Sequence, residues 1–272
     1  MRTALITGTS SGMGLETAVE LAKRNWSVVA TMRDLEKRSD LDHELAAAGV
    51  NDRVRVGRLD VTDAGSIDKA VAGLDLANRP LDAVVHNAGI GVGGAFEDID
   101  EATIRRVMEV NFFGILALTR ALLPAFRSQR HGRILIVSSD SAFAGEPTAS
   151  AYCASKWAIE GWAEAIAYEL EPFNIQITLI EPGPYRTNIW KSAPRVVPDT
   201  SAYRPLLLHL NEVVDEHVEK TARDPQEVAK AIATALEAKN PRFRYAVGPI
   251  AKVSHFMRGK VPARVWRGIV SR

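Results

Sequence analysis

A single cysteine among 272 residues, Cys153, excludes an intramolecular disulfide and fits a reducing compartment. Basic residues outnumber acidic ones by one (34 against 33), so the balance gives no support for nucleic-acid binding across the surface. No apolar run approaches the roughly eighteen residues that a membrane span needs. Met1-Arg2-Thr3 leads into an apolar segment too short for a signal sequence, so none is expected. The six histidines show no metal-ligand spacing, and no metal is expected. There is also no internal repeat, low-complexity tract or Pro/Ser linker to divide the chain. What is left, 46% hydrophobic and 25% charged, is the composition of one ordinary α/β domain, expected in the cytoplasm.

Against that plain background one stretch stands out, Tyr152-Cys153-Ala154-Ser155-Lys156. Residues four apart share a helix face, which sets a phenol beside an ammonium. A charge ~5 Å away at an effective dielectric of ~20 favours the phenolate by about 3 kcal/mol, or about two pKa units. Such a pair can serve as a general acid/base near neutral pH, although alone it is a weak signal. Ala158, Ile159, Trp162, Ala165, Ile166 and Leu170 recur at helical spacing, with Ser150 as the expected N-cap and Pro172 as the stop. Gly161 within this helix points to close approach of another helix. Cys153 is expected to be a small packed hydrophobe.

The N-terminal apolar run ends in Thr7-Gly8-Thr9-Ser10-Ser11-Gly12-Met13-Gly14, and a helical pattern follows. Strand, glycine-rich turn and helix N-terminus form a phosphate cradle, because backbone N–H groups and the helix dipole converge there. Gly8 allows the tight turn, Gly12 close approach of a pyrophosphate, and Gly14 helix–strand packing. Strands and helices then alternate, with helices at 40–48, 66–76, two within 101–127, and 225–239. This predicts a doubly wound parallel sheet. Gly8, Asp60, Asn87-Ala88-Gly89, Ser139 and Pro182-Gly183 each fall just past the carboxyl end of a predicted strand. Ligands of such sheets bind outside those ends.

From Thr3 to about Thr187 the chain resembles the short-chain dehydrogenase/reductase family, in its single-domain Rossmann-fold form. The motifs that carry the resemblance are the glycine loop, Leu59-Asp60-Val61-Thr62, His86-Asn87-Ala88-Gly89, Val110-Asn111, and Ser139 with Tyr152 and Lys156. Pro182-Gly183 with Thr187 completes the set, and the run around Tyr152 is similar to the hydroxysteroid and retinol dehydrogenase branch. The resemblance implies catalytic roles for Asn111, Ser139, Tyr152 and Lys156. It implies cofactor contacts at Gly8, Ser10, Ser11, Gly12, Met13, Gly14, Arg33, Asp60, Val61, Asn87, Ala88, Gly89, Tyr152, Lys156, Pro182, Gly183 and Thr187. His86 stands where the family has asparagine and is read as a loop residue whose backbone matters more than its side chain.

The implied activity is hydride transfer between NADP(H) and a small apolar alcohol or ketone. A non-catalytic dinucleotide-binding regulator of the same fold is the alternative. NADP(H) is expected over NAD(H) because the position about eighteen residues past Gly14 is the neutral Met32, followed by Arg33, whose planar fork suits a phosphate. A one-residue slip would put Asp34 there instead. Within residues 1–250, the segment 184–222 is expected to form a substrate lid, carrying Trp190, Tyr203, Leu206, Leu207, Leu208, Leu210, Val213 and Val214. The tail, 251–272, is basic and amphipathic, with Pro262 separating two short helices. It suits an anionic membrane surface, or a plainer role as a solvated or subunit-packing segment. Small residues on the Tyr152 helix favour a homodimer or homotetramer.

Overall fold

The computed structural model describes the chain except Ala77, Arg258, Gly259, Ala263, Trp266, Arg267 and 269–272, together with the side chains of Trp190 and Lys191. The first half runs β1 (Thr3–Thr7), α1 (Gly12–Lys23), β2 (Ser27–Met32), α2 (Ser39–Ala48), β3 (Val54–Arg58), α3 (Ala64–Ala72), β4 (Ala83–His86) and β5 (Gly93–Gly94). It continues through α4 (Glu101–Met108), α5 (Gly114–Gln129), β6 (Gly132–Val137), α6 (Ser150–Leu170) and β7 (Ile175–Pro182). The last part holds α7 (Ile189–Ser192), β8 (Arg195–Val196), α8 (Arg204–Thr221), α9 (Gln226–Glu237), β9 (Arg244–Val247) and α10 (Pro249–Met257).

Seven strands form one sheet in the order β3-β2-β1-β4-β6-β7-β9, and their pairings are all parallel. Alternate side chains of a strand leave opposite faces, and both faces of this sheet are covered. Ala4, Ile6, Val28 and Ala30 pack on one side with α1 and α9. Leu5, Val29, Val84, Ile134 and Ile136 pack on the other with Leu118, Leu122, Phe126 and Ile159 of α5 and α6. The strand order reverses between β1 and β4, which opens a crevice beyond their carboxyl ends.

Several local expectations are corrected. The two helices within 101–127 are one rod, joined by a π-helical turn at Glu109–Phe113. By length and composition the rod from Glu101 to Gln129 could cross a membrane, yet its most apolar window is 44% buried inside the fold. It is a core helix. Ser150 is the first residue of α6, not its cap; Ala149 holds that place without a side-chain hydrogen bond. Gly161 faces outward, since a Cβ there meets nothing within 4 Å.

The segment 184–222 is more regular than its sequence pattern, because α8 alone supplies 18 residues. Leu207 is buried, whereas Tyr203, Leu206 and Leu208 stay largely exposed; the side chain of Trp190 lies outside the described residues. Helix α10 straddles the expected start of the tail, with Ala251 fully buried. Beyond it, the second helix expected after Pro262 includes residues outside those described. Lys252, Val253, Phe256, Lys260, Arg264 and Val265 are exposed.

His86 also departs from expectation. It ends β4 with its ring buried, and its Nε2 lies 2.9 Å from Thr119 Oγ1 on α5. The side chain therefore matters as packing. Burial holds the imidazole neutral and pushes its pKa down to about 3. In the unfolded chain the same ring takes a proton near pH ~6.5, so acidification stabilises the unfolded state and stability falls as pH drops through that window. Between pH 6.5 and 4 the loss attributable to His86 is roughly 3 kcal/mol at ~1.4 kcal/mol per unit. Urea denaturation at several pH values checks this: His86→Asn should flatten that acid limb relative to the native protein.

Candidate active site

The loop after β1 is held by a brace from β4. Thr7 Oγ1 accepts the backbone N–H groups of Asn87 and Ala88, both at 3.0 Å. The Asn87 side-chain Nδ2 donates to Thr7 O at 3.0 Å and to Gly8 O at 2.9 Å. Gly8 has φ +72°, and a Cβ there would sit 2.9 Å from Ala88 Cα. At Gly14 a Cβ would fall 2.2 Å from Gly8 O and 2.3 Å from Asn87 Nδ2, so α1 can abut the turn only through glycine. Gly12 packs against Thr187, which brings the segment after Gly183 over the same loop. Ser11 occupies the N-cap of α1 without a side-chain cap, and no acid lies in the first turn. The amides of Gly12, Met13 and Gly14, with Ser10 and Ser11 beside them, thus offer an anion-binding N-terminus.

Farther along the edge, β2 ends at the buried Met32 and Arg33 is exposed just past it. Asp34 is engaged as the N-cap of the 3-10 turn Leu35–Arg38, accepting from Glu36 N at 3.1 Å. Asp60 accepts from Thr62 N at 3.0 Å and Thr62 Oγ1 at 2.7 Å. Burial pushes its carboxyl up, but these bonds and the nearby charges of Arg33 and Arg106 leave it below the ordinary value. Val61 is buried, and its carbonyl lies 2.8 Å from where a Cβ on Gly114 would stand.

On the other side of the crevice, Asn111 is wholly buried in the π-helical turn. Its Oδ1 accepts Ile90 N at 2.9 Å, and its Nδ2 donates to Ile90 O at 2.8 Å and to Ser155 Oγ at 3.0 Å. One side chain thus ties the loop after β4 to α6. A π-turn inside a helix is frequently a functional feature, and here it turns an asparagine inward. Gly89 lies between Asn111 and Lys156, with Oδ1 and Nζ at 3.4 and 3.9 Å from its Cβ position. Lys156 Nζ donates to Val137 O at 2.9 Å and stands 5.6 Å from the Tyr152 ring centre. Pro182 ends β7, and Gly183 N donates to Val247 O at 3.1 Å.

The electrostatics correct the simple charge-pair estimate. Burial holds the Tyr152 phenol above its ordinary pKa; a hydrogen bond with Ser139 pulls it down, and Glu146, Asp140 and Cys153 push it up. Burial likewise lowers Lys156 to about 8, with Glu160 opposing. Desolvation outweighs the attraction that spacing alone predicts. Tyr152 keeps its proton at neutral pH, as a free tyrosine does, and holds it more tightly. Burial raises Cys153 to about 11, which makes it an unreactive thiol.

Three segments, the π-helical turn, the turn after β6 and the start of α6, bring Asn111, Ser139, Tyr152 and Lys156 to this end of the sheet. A family model for short chain dehydrogenase matches residues 2–196. The chain belongs to the short-chain dehydrogenase family. It is 39% identical to the uncharacterized oxidoreductase YusZ of Bacillus subtilis, over 99% of this chain and 97% of that one. Human retinol dehydrogenase 8 is 37% identical, with 89% and 80% covered, which supports the hydroxysteroid and retinol branch. The solved short-chain dehydrogenase of Streptomyces avermitilis superposes with a TM-score of 0.82 at 31% identity, covering 99% of this chain and 97% of that one. A metagenomic short-chain oxidoreductase solved with NADP gives 0.70 at 26%, covering 90% and 95%.

Within this short-chain dehydrogenase, residues not singled out from sequence also shape the cleft. Thr7 and Ser155 had only their motif neighbours to mark them, and Asp140 is merely the residue after Ser139. A cavity of about 490 Å³ opens beneath α8, lined by Ala95, Phe96, Pro147, Tyr203, Leu206 and Leu207, with Glu97 and Thr148. Asn111→Ala would leave both backbone groups of Ile90 without their partner, at roughly 1–3 kcal/mol each. The expected result is a lower denaturation midpoint together with faster amide exchange at Ile90, measured by hydrogen exchange.

Proposed function

We propose that this chain is an NADP(H)-dependent oxidoreductase that interconverts a hydrophobic alcohol and its ketone, with Tyr152 as the general acid/base. The observation that carries this reading is the part-buried Tyr152 in the first turn of α6, beside Ser139 and one helical turn from Lys156, whose Nζ stands 5.6 Å from its ring centre. The likeness to retinol dehydrogenase 8 and to an NADP-bound oxidoreductase supports it.

The glycine cradle and the N-terminus of α1 fit a dinucleotide pyrophosphate, because no side chain caps the first amides of α1 and glycine at 8 and 14 lets the turn lie close against the helix. Asp60, Val61, Asn87, Ala88 and Gly89 would flank the adenosine and ribose portions, and Pro182, Gly183 and Thr187 the nicotinamide amide. Bound there, the cofactor supplies or accepts the hydride. Tyr152 gives a proton to the substrate oxygen in reduction and takes it back in oxidation. Ser139 donates a hydrogen bond to that oxygen as charge gathers on it. Lys156 holds the nicotinamide ribose, and its positive charge opposes the effect of burial on Tyr152 during oxidation. Asn111 keeps the loop after β4 and α6 in register for the proton relay.

The segment 184–222 acts as the lid over the apolar cavity in this reading, within one domain of residues 1–250. Exposed Ala154, Trp157, Gly161, Ala165 and Tyr168 form a stripe along α6 that suits pairing with a second copy across a two-fold axis. A lone buried thiol fits a cytoplasmic setting.

Turnover of NADPH and NADH against a panel of apolar ketones and aldehydes tests the reading, with Tyr152→Phe as its control. That variant should keep its NADPH affinity and fall below about a tenth of native kcat; retained turnover would remove Tyr152 from the role. Arg33→Ala should weaken NADPH binding roughly ten- to a hundredfold and leave NADH nearly unchanged, since a charge-assisted hydrogen bond contributes about 1.5–3 kcal/mol. Equal losses for both cofactors, read by fluorescence titration, would remove the phosphate contact.

A further inference from the structure

We propose that Asp140 is a positioning residue that decides whether the Ser139 hydroxyl proton faces the substrate oxygen or is held within its own turn. The inference rests on the oxidoreductase reading above and concerns the pH range in which ketone reduction operates.

Ser139 caps the short 3-10 turn Asp140–Ala142, and its Oγ accepts Ser141 N at 3.2 Å. The single proton on Oγ has two acceptors on this turn, Asp140 Oδ1 at 3.2 Å and Ser141 Oγ at 3.2 Å. Ser141 gives its own proton to Glu146 Oε1 at 2.8 Å. One proton cannot serve Asp140 and a substrate carbonyl together. An ionised carboxylate is the stronger acceptor of the two and draws the proton away from the substrate. The same negative charge opposes the alkoxide that forms as hydride reaches the carbonyl carbon. A neutral Asp140 removes both obstacles and leaves Ser139 to donate outward.

The charged and titratable groups around this corner come from every neighbouring element. Glu146 lies on the following loop, and Tyr152 and Cys153 come from α6, where both feel the Asp140 charge. Lys156 is anchored on Val137 O. Beyond Gly183, Asp140 Oδ2 and Ala251 N each lie 3.5 Å from the point where a Cβ on Gly183 would stand. From α10, His255 stacks edge-on against Phe143 at 5.2 Å and lies 3.2 Å from Glu181 Oε2. From α8, the charge of His217 reaches Glu146. Burial first, and then Glu146, raise Asp140 to about 7, inside the working range of a cytoplasmic enzyme.

The test is kcat/KM for NADPH-dependent reduction between pH 6 and 9, using the panel ketone that the native protein reduces fastest. Native reduction should fall roughly tenfold from pH 6 to pH 8, as expected when only the protonated form of one group is active. Asp140→Asn should abolish that fall and hold the low-pH value across the range. Glu146→Gln, on the exposed loop, should move the fall to lower pH without removing it. NADPH fluorescence confirms a folded site in each variant, and if Asp140→Asn does not fold, the Glu146→Gln profile decides. A fall that stays in place in the variants overturns the role of Asp140 while leaving the oxidoreductase reading intact. A native protein that oxidises NADPH with no ketone in the panel overturns both.

Discussion

The cleft depends on a brace between two strands that are distant in sequence. Parallel strands are joined only by hydrogen bonds along their length, and beyond their ends the backbone must find other partners. Here Thr7 and Asn87 supply them, with side chain and main chain exchanged across β1 and β4 at the point where the strand order reverses. The glycine turn is pulled tight by that exchange, and Gly14 lets α1 start against it. The N-terminus of α1 is thus aimed by groups on the far side of the turn. Asn111 repeats the device on the opposite wall, clasping Ile90 and Ser155.

Burial then sets the chemistry of what the braces position. Water exclusion pushes the Tyr152 phenol up and the Lys156 ammonium down, so the resting tyrosine holds its proton more tightly than a free one. His86 shows the same force acting on a ring kept neutral by packing between β4 and α5.

Much of this was legible in the sequence, because the signals are local. Strand ends announce themselves where an apolar run stops at glycine, asparagine or serine, and the spacing of Tyr152 and Lys156 places both on one helix face. The doubly wound sheet follows from the alternation of strand and helix. What could not be read depends on three-dimensional surroundings. Coulomb attraction between Tyr152 and Lys156 is visible from spacing, whereas the larger desolvation is not. His86 looked like a loop residue because nothing near it in the chain shows that Thr119 will meet it. Helix α8 was hidden because its leucines do not form one buried stripe: Leu207 is buried and Leu206 and Leu208 are not.

The rod of α4 and α5 carries a phase slip. An ordinary helix advances about 100° per residue, so the wider turn at Glu109–Phe113 rotates everything after it relative to everything before. Val107 therefore packs with Ile99 and Ala151 in a small core of their own, while Ile115, Leu118 and Leu122 pack into the sheet. One uninterrupted helix serves two separate cores. Removing a single residue from the turn would restore regular winding and draw Asn111 away from Ile90 and Ser155, so the extra residue and the asparagine are constrained together.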